Sequence, residues 1–309
     1  MRIQYRVPAG EGVLYRLQLD YSGYSQVQTE DQLNEPRRVS EDRKLELHYR
    51  QRVTAAPSEG EIASILIMSA LRQQHMTSQG PSQQILEVAD DRMRLQQNGE
   101  DQVDTVGSPR RPGRGPDALL GRPFAILISD PQGNPMSVDV RGRPGARAVL
   151  NMVPLQAALR FAQPAFPPDE VVPGATWQVR RIPASPVGSL GLTLDVEYRL
   201  IAYEELDGVQ CARVLIRAAL NAEDHETPLG FALDSVSAEL NGEAWLDVAT
   251  GQPYRLVMED EITVRYEQGE SPRKTYGRMS FSERVILDRL DSPPPADSWA
   301  DGSKRFSSK

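Results

Sequence analysis

The side chains best suited to metal binding or nucleophilic catalysis are three histidines, His48, His75 and His225, and the single cysteine, Cys211. They are widely separated, and neither Cys-x-x-Cys nor His-Glu-x-x-His occurs, so no metal site is expected. Glu223-Asp224-His225-Glu226 gathers three carboxylates and an imidazole, which reads as a solvated loop. Asp130 to Asn134 resembles the opening of a calcium loop, but the later ligands and closing glutamate are missing, so a hairpin turn is expected there. No Gly-x-Ser-x-Gly elbow is present, and no serine is paired with a histidine. Cys211 lies in QCARVLI, an apolar strand-like run that predicts a buried, inert thiol. His48, between Glu46 and Arg50, reads as a residue on the wet face of a strand. The Gly188 to Gly191 turn has strand-like flanks and does not form a phosphate cradle. The expectation is a non-enzymatic protein with no catalytic residues, no cofactor and no metal.

Charge narrows the partners. The 309 residues carry 35 Lys+Arg against 43 Asp+Glu, a net charge of -8, and a negative field disfavours general nucleic-acid binding. A chain of this length buries roughly 75% of its unfolded surface, so large cores are available. The longest uncharged apolar run, Ser64 to Leu71, is far short of the roughly 20 residues that span a bilayer, so no transmembrane span is expected. MRIQYR lacks the apolar core of a signal peptide. A periplasmic or cell-envelope location is therefore expected only if a signal peptide has been removed, and a cytoplasmic one otherwise.

The elements that would position a site are strands, because period-two alternation dominates. In LTLDVEYRLIAY, Leu194, Val196, Tyr198 and Leu200 share one face and Asp195, Glu197 and Arg199 the other. Asp207-Gly208 predicts a tight hairpin into Val209 to Leu220, where Val214 and Ile216 continue the apolar face. A second hairpin runs from Ala244, Leu246 and Val248 through Thr250-Gly251 to Leu256, Met258, Ile262 and Val264, with Asp260 as the one polar residue on that inner face. Further strands are expected at Val13 to Tyr21, Leu45 to Val53, Ile62 to Met76 and Gln84 to Gln97, the last interrupted at Asp90-Asp91. FAILIS, a turn and MSVDV make another hairpin, whose form matches AWLDVATGQPYRLVM and leaves an internal duplication open.

The expected organisation is an N-terminal β half over 1–145 with a flexible loop at 99–123, a central helix at 146–163, a C-terminal β half over 164–290, and a disordered tail at 291–309. The helix rests on Pro154 in a first turn and on Leu155, Ala158, Leu159 and Ala162 at spacings of three and four. The loop rests on RRPGRGP, and the tail on SPPPADSWADGSK.

FPPDEVVPGATWQV, the Asp207-Gly208 hairpin and Gly242-Glu-Ala-Trp245-Leu-Asp247 together resemble uncharacterised bacterial envelope proteins whose fold is similar to that of the lipoprotein carriers LolA and LprG. The resemblance is clearest over residues 164–290. It implies a mainly β fold: a long, strongly curved antiparallel sheet, as a half-barrel or two packed halves, around a central helix. It also implies a non-enzymatic carrier that holds a lipid or other apolar ligand in the concavity. Alternation places Leu194, Val196, Tyr198, Val214, Ile216, Leu256, Met258 and Ile262 on the binding face, with Trp177 and Trp245 near strand starts. The competing expectation is a structural or interaction scaffold with a dry core that presents its loops and Pro-rich tail to an envelope protein partner.

Overall fold

The computed structural model describes residues 12–30, 36–55, 61–79, 83–89, 92–105, 119–130, 133–140, 159, 162–167, 170–181, 193–226, 232–269 and 274–292. Among the described residues every element is a strand. In chain order these are β1 (Val13–Thr29), β2 (Arg37–Ala55), β3 (Ile62–Thr77), β4 (Gln83–Ala89), β5 (Arg92–Gln97), β6 (Glu100–Thr105), β7 (Pro123–Ser129) and β8 (Pro135–Val140). There follow β9 (Thr176–Arg181), β10 (Leu194–Leu206), β11 (Val209–Glu226), β12 (Ala232–Asp247), β13 (Pro253–Gln268) and β14 (Thr275–Leu290).

The strands form one open antiparallel sheet in the order β6-β5-β4-β3-β2-β1-β14-β13-β12-β11-β10-β9. Each half is a meander, and the first and last strands meet at the centre, paired from Leu14↔Leu290 to Thr29↔Thr275. Residues Ala70 to Met76 of β3 pair with β4, while Ile62 to Ile67 pair with β7, so the sheet forks and β8 extends the branch. The two halves are thus one continuous sheet.

Turn chemistry explains several hairpins. Asp207 and Gly208 both have positive φ, +52° and +82°, as a two-residue turn with right-handed twist requires. Asn98 (φ +51°) and Gly99 (φ +85°) do the same between β5 and β6. That hairpin corrects the expectation of a flexible loop over 99–123, whose first residues belong to a strand, while 106–118 lie outside the described residues. The expected strand over Gln84 to Gln97 is two strands, β4 and β5, paired antiparallel. Likewise Glu223 to Glu226 continue β11 instead of forming a loop, with their side chains outside the described residues. The expected central helix lies outside the described residues except for Leu159, Ala162 and Gln163.

The Asp130 turn is closed by its own groups. The Asn134 backbone N–H and Nδ2 donate to the two Asp130 carboxylate oxygens, each at 2.8 Å, which accounts for the carboxylate without a calcium ion. Asn134 Oδ1 then accepts from the Phe166 N–H at 2.8 Å, which ties the buried segment 162–167 to the β7–β8 hairpin.

His48, expected on the surface, is buried, with its Nε2 2.8 Å from Glu46 Oε1. The register shift between His48 and Tyr49 occurs at this position. Cys211 is buried as expected, and burial followed by the nearby Asp247 carboxylate pushes its thiol up to about 11.

Asp247 anchors the β12–β13 turn. Arg289 Nη1 donates to Oδ2 at 2.7 Å, and the Ala249 and Thr250 N–H groups donate to Oδ1 at 2.8 and 3.3 Å. Burial alone would raise its pKa, but these donors outweigh burial and hold it below the ordinary carboxylate range. A lowered carboxylate contributes stability above about pH 4 that is lost as pH falls through its folded value. Asp247→Asn should cost about 2 kcal/mol in urea unfolding at pH 7, with the gap closing in acid. Equal midpoints at pH 7 would remove the anchoring role.

Candidate functional site

Cross-strand register aligns side chains in rows on the buried face of the sheet. One row reads Leu200, Val214, Ala244, Leu256, Leu287, Leu17, Leu47, Leu71, Val88 and Met93, crossing ten adjacent strands from β10 to β5 without a polar side chain. All but Met93 are at most 1% exposed. The next row reads Trp177, Tyr198, Ile216, Gly242, Met258, Val285, Leu19, Leu45, Gln73, Leu86 and Leu95, with Gln73 its one polar side chain. Trp177 stacks on Tyr198 with centroids 5.6 Å apart and planes at 13°. Gly242 is needed because a Cβ there would stand 2.6 Å from the Val257 carbonyl oxygen.

Nine of the ten expected binding residues, Trp177, Leu194, Val196, Tyr198, Val214, Ile216, Leu256, Met258 and Ile262, are therefore buried on one face. Trp245 is the correction. It alternates with buried Ala244 and Leu246 and so projects from the opposite face, where Nε1 donates to Glu204 at 2.7 Å and Arg213 lies 5.8 Å from the ring. That face is wet and laced with cross-strand ion pairs: Arg16–Asp288 at 2.6 Å, Arg213–Glu243 at 2.8 Å and Arg284–Glu259 at 3.2 Å. Exposed pairs of this kind contribute little stability. Outside the strands, Leu119, Leu159, Ala162, Ala165, Phe166 and Val171 join the same apolar core.

A third row on the buried face is unlike the other two. It reads Leu240, Asp260, Glu283, Tyr21, Arg43 and His75 from β12 to β3. Asp260 and Glu283 face each other across β13 and β14 and are only 2% and 4% exposed. The Glu283 backbone N–H acts on the Asp260 carboxyl, although neither Oδ atom meets a donor in good hydrogen-bond geometry among the described residues. Burial raises both carboxyls far above their ordinary range, and for Glu283 the neighbouring Asp260 charge adds to it. Tyr21 is raised too, by burial first and then by the Glu41 carboxylate. The basic end of the row is neutralised by Glu41, which pairs with Arg43 and lies 2.7 Å from His75 Nε2. The residues that alternate with this pair, Glu239, Asn241, Glu259, Glu261, Ser282 and Arg284, line a 460 Å³ cavity on the opposite, wet face, which Asp260 and Glu283 border from across the sheet.

The row marks a boundary in β1 and β2. On one side Leu19 and Leu45 are buried, whereas on the other Gly23, Ser25, Val27 and Val39 are half-buried. In β14 the boundary falls one step later, after Phe281, where Met279 is half-buried. Tyr21 stacks on Phe281 at 5.8 Å, over Gly23, where a Cβ would stand 2.8 Å from the Phe281 ring. Tyr266 covers Gly277 in the same way. The result is a half-open shelf beside buried carboxyls, apolar at Val27, Val39, Tyr266 and Met279 and polar at Ser25 and Glu41. Asp260 was visible from alternation. Glu283 was also readable, since it interrupts Phe281, Val285 and Leu287, but the pairing of β1 with β14 that sets Tyr21 beside it has no local signal.

No family model and no curated protein matches the sequence. Among solved structures the chain is similar to one described as lipid-protein interactions in lipovitellin, at 12% identity and a TM-score of 0.44. That likeness covers 93% of this chain but only 26% of the other, so the chain spans about a quarter of that protein's length. It is also similar to a LolA superfamily protein from Nitrosomonas europaea, at 7% identity and a TM-score of 0.14, over 92% of this chain and 90% of the other. A third is the transport unit of the autotransporter AIDA-I from Escherichia coli, at 9% identity and a TM-score of 0.20, with 91% of each chain covered.

Proposed function

We propose that this chain is a non-enzymatic binding or carrier protein of the bacterial cell envelope that holds a lipid or other apolar ligand against the buried face of its sheet. One observation carries the reading: the apolar face is continuous across ten strands and opens, beyond the Tyr21 row, into a half-buried shelf that includes Val27, Val39, Tyr266 and Met279. Ten strands about 4.8 Å apart make a surface about 43 Å wide, long enough to lay out an acyl chain. The envelope assignment comes from the sequence resemblance. A buried thiol of raised pKa suits an oxidising compartment because it stays out of disulfide exchange.

A second reading, an interaction scaffold with a dry core, is favoured by the near-complete burial of the Leu17 row. The two separate in one titration. Met279→Lys places a charge on the shelf and should weaken binding of the fluorescent fatty acid cis-parinaric acid at least tenfold, whereas Trp245→Phe on the opposite face should leave it unchanged. Saturable binding that is insensitive to Met279→Lys would move the ligand off this shelf. No binding by the unsubstituted protein would favour the scaffold.

A further inference from the structure

On the wet face of the central strands, arginines stand opposite carboxylates. Arg255 and Arg16 flank Asp288 in one cross-strand row, at 3.7 and 2.6 Å, and Arg284 faces Glu259 in another, at 3.2 Å. A row nearer the β13–β14 turn breaks this pattern. It reads Ser235, Arg265, Arg278, Gln26 and Arg38 from β12 to β2, with three guanidiniums and no carboxylate. Arg265 and Arg278 face each other directly across β13 and β14, where like charges destabilise. Both are exposed, and neither guanidinium meets a carboxylate or another side-chain partner among the described residues. With Gln26, Gln28, Glu267 and Tyr276 they line a 380 Å³ cavity on this face, which Tyr266 and Gly277 border from across the sheet. Of the cavity's two carboxylates, Glu267 is taken by Lys274 at 2.7 Å, and Asp234, at the β12 register shift, reaches neither arginine. The local balance is positive in a chain whose net charge is -8.

We propose that Arg265 and Arg278 hold a phosphate group between them, in a site on the opposite face from the apolar ligand. Such a site lies beyond the carrier reading and does not depend on it. A guanidinium presents a rigid fork of N–H donors, and two forks on strands about 4.8 Å apart match the oxygens of one tetrahedral dianion that bridges them. A phosphomonoester carries close to two negative charges and three acceptor oxygens, so it cancels the repulsion within the pair, whereas a carboxylate offers one charge and one edge. Gln26 stands beside Arg278 in the row, with Gln28 and the exposed Tyr276 paired in the next, and their amide and hydroxyl groups add neutral donors. Arg38, 4.3 Å from the centre of the Tyr24 ring, extends the positive field on the β2 side. The phosphate belongs either to a soluble phosphomonoester or to the headgroup of a phospholipid, which present the same oxygens.

Isothermal titration of the full chain in phosphate-free buffer, with sn-glycerol 3-phosphate and with acetate, tests this. Glycerol 3-phosphate should bind saturably at one per chain, and acetate at least tenfold more weakly. Arg265→Gln/Arg278→Gln should lose at least tenfold in affinity for the phosphate, while melting no earlier than the unsubstituted chain because a repulsion is removed. Arg255→Gln/Arg284→Gln takes the same charge from the same face, at arginines that already have carboxylates, and should keep the affinity within about twofold. Sedimentation with phosphatidylcholine vesicles containing phosphatidic acid separates the two sources. Vesicle capture that glycerol 3-phosphate displaces marks a headgroup, and the absence of displaceable capture marks a soluble ester. No saturable binding of either phosphate probe, equal affinity for acetate, or equal losses in the two double variants would overturn the phosphate site and leave the carrier reading standing.

Discussion

Raising the pH from 5 to 9 should lower the melting temperature of this protein by roughly 5 °C, and the Asp260→Asn/Glu283→Gln variant should lose most of that descent. In the folded chain burial, and for Glu283 also the neighbouring Asp260 charge, raises both carboxyls well above their ordinary range, whereas in the unfolded chain both ionise near pH 4. A carboxyl raised on folding binds more protons in the native state. Its cost is absent below the unfolded value, grows as pH climbs, and is complete above the folded values. Each unit of displacement corresponds to about 1.4 kcal/mol, and the pair shares one environment, so a total of about 3 kcal/mol is the scale expected. The double variant has no carboxyl left to ionise at these two positions. Parallel pH profiles for the two proteins would show that the pair is already compensated in solution.

Leu17→Ala should destabilise by about 3 kcal/mol and shift one cooperative transition as a whole. Leu17 lies fully buried in β1 between Leu287 of β14 and Leu47 of β2, at the join between the N-terminal and C-terminal meanders. Neither half completes its central pairing alone, because β14 is bonded to β1 on one side and β13 on the other. Removing three side-chain carbons there leaves a cavity that the flanking strands cannot close without breaking register. Urea unfolding followed by both tryptophan fluorescence and circular dichroism checks this. Two separated transitions, with only one moved by the substitution, would mean that the halves fold independently.

Local patterning carried much of this architecture. Leu194 to Leu200 and Leu256 to Val264 alternate as strands with one wet face because the sheet has one apolar side, and Asp207-Gly208 turns where its φ values require. Asn98-Gly99 carries the same hairpin signal, but the proline- and arginine-rich stretch after it drew those residues into an expected loop. The central pairing of β1 with β14 joins residues about 270 apart, and no local pattern encodes a partner so distant. Consequently the apolar face was readable residue by residue, while the row that sets Asp260 and Glu283 beside Tyr21 was not. Trp245 shows the limit of position along the chain as a guide: its place near a strand start suggested the binding face, but alternation with Ala244 and Leu246 turns it outward to Glu204.

The central claim is that an apolar ligand occupies this sheet. Native mass spectrometry of the full chain purified from a bacterial host, followed by organic extraction and lipid analysis, tests it most directly. Our account predicts a bound species near one per chain that extracts into organic solvent. A clean unliganded mass, unchanged after incubation with lipid, would contradict it.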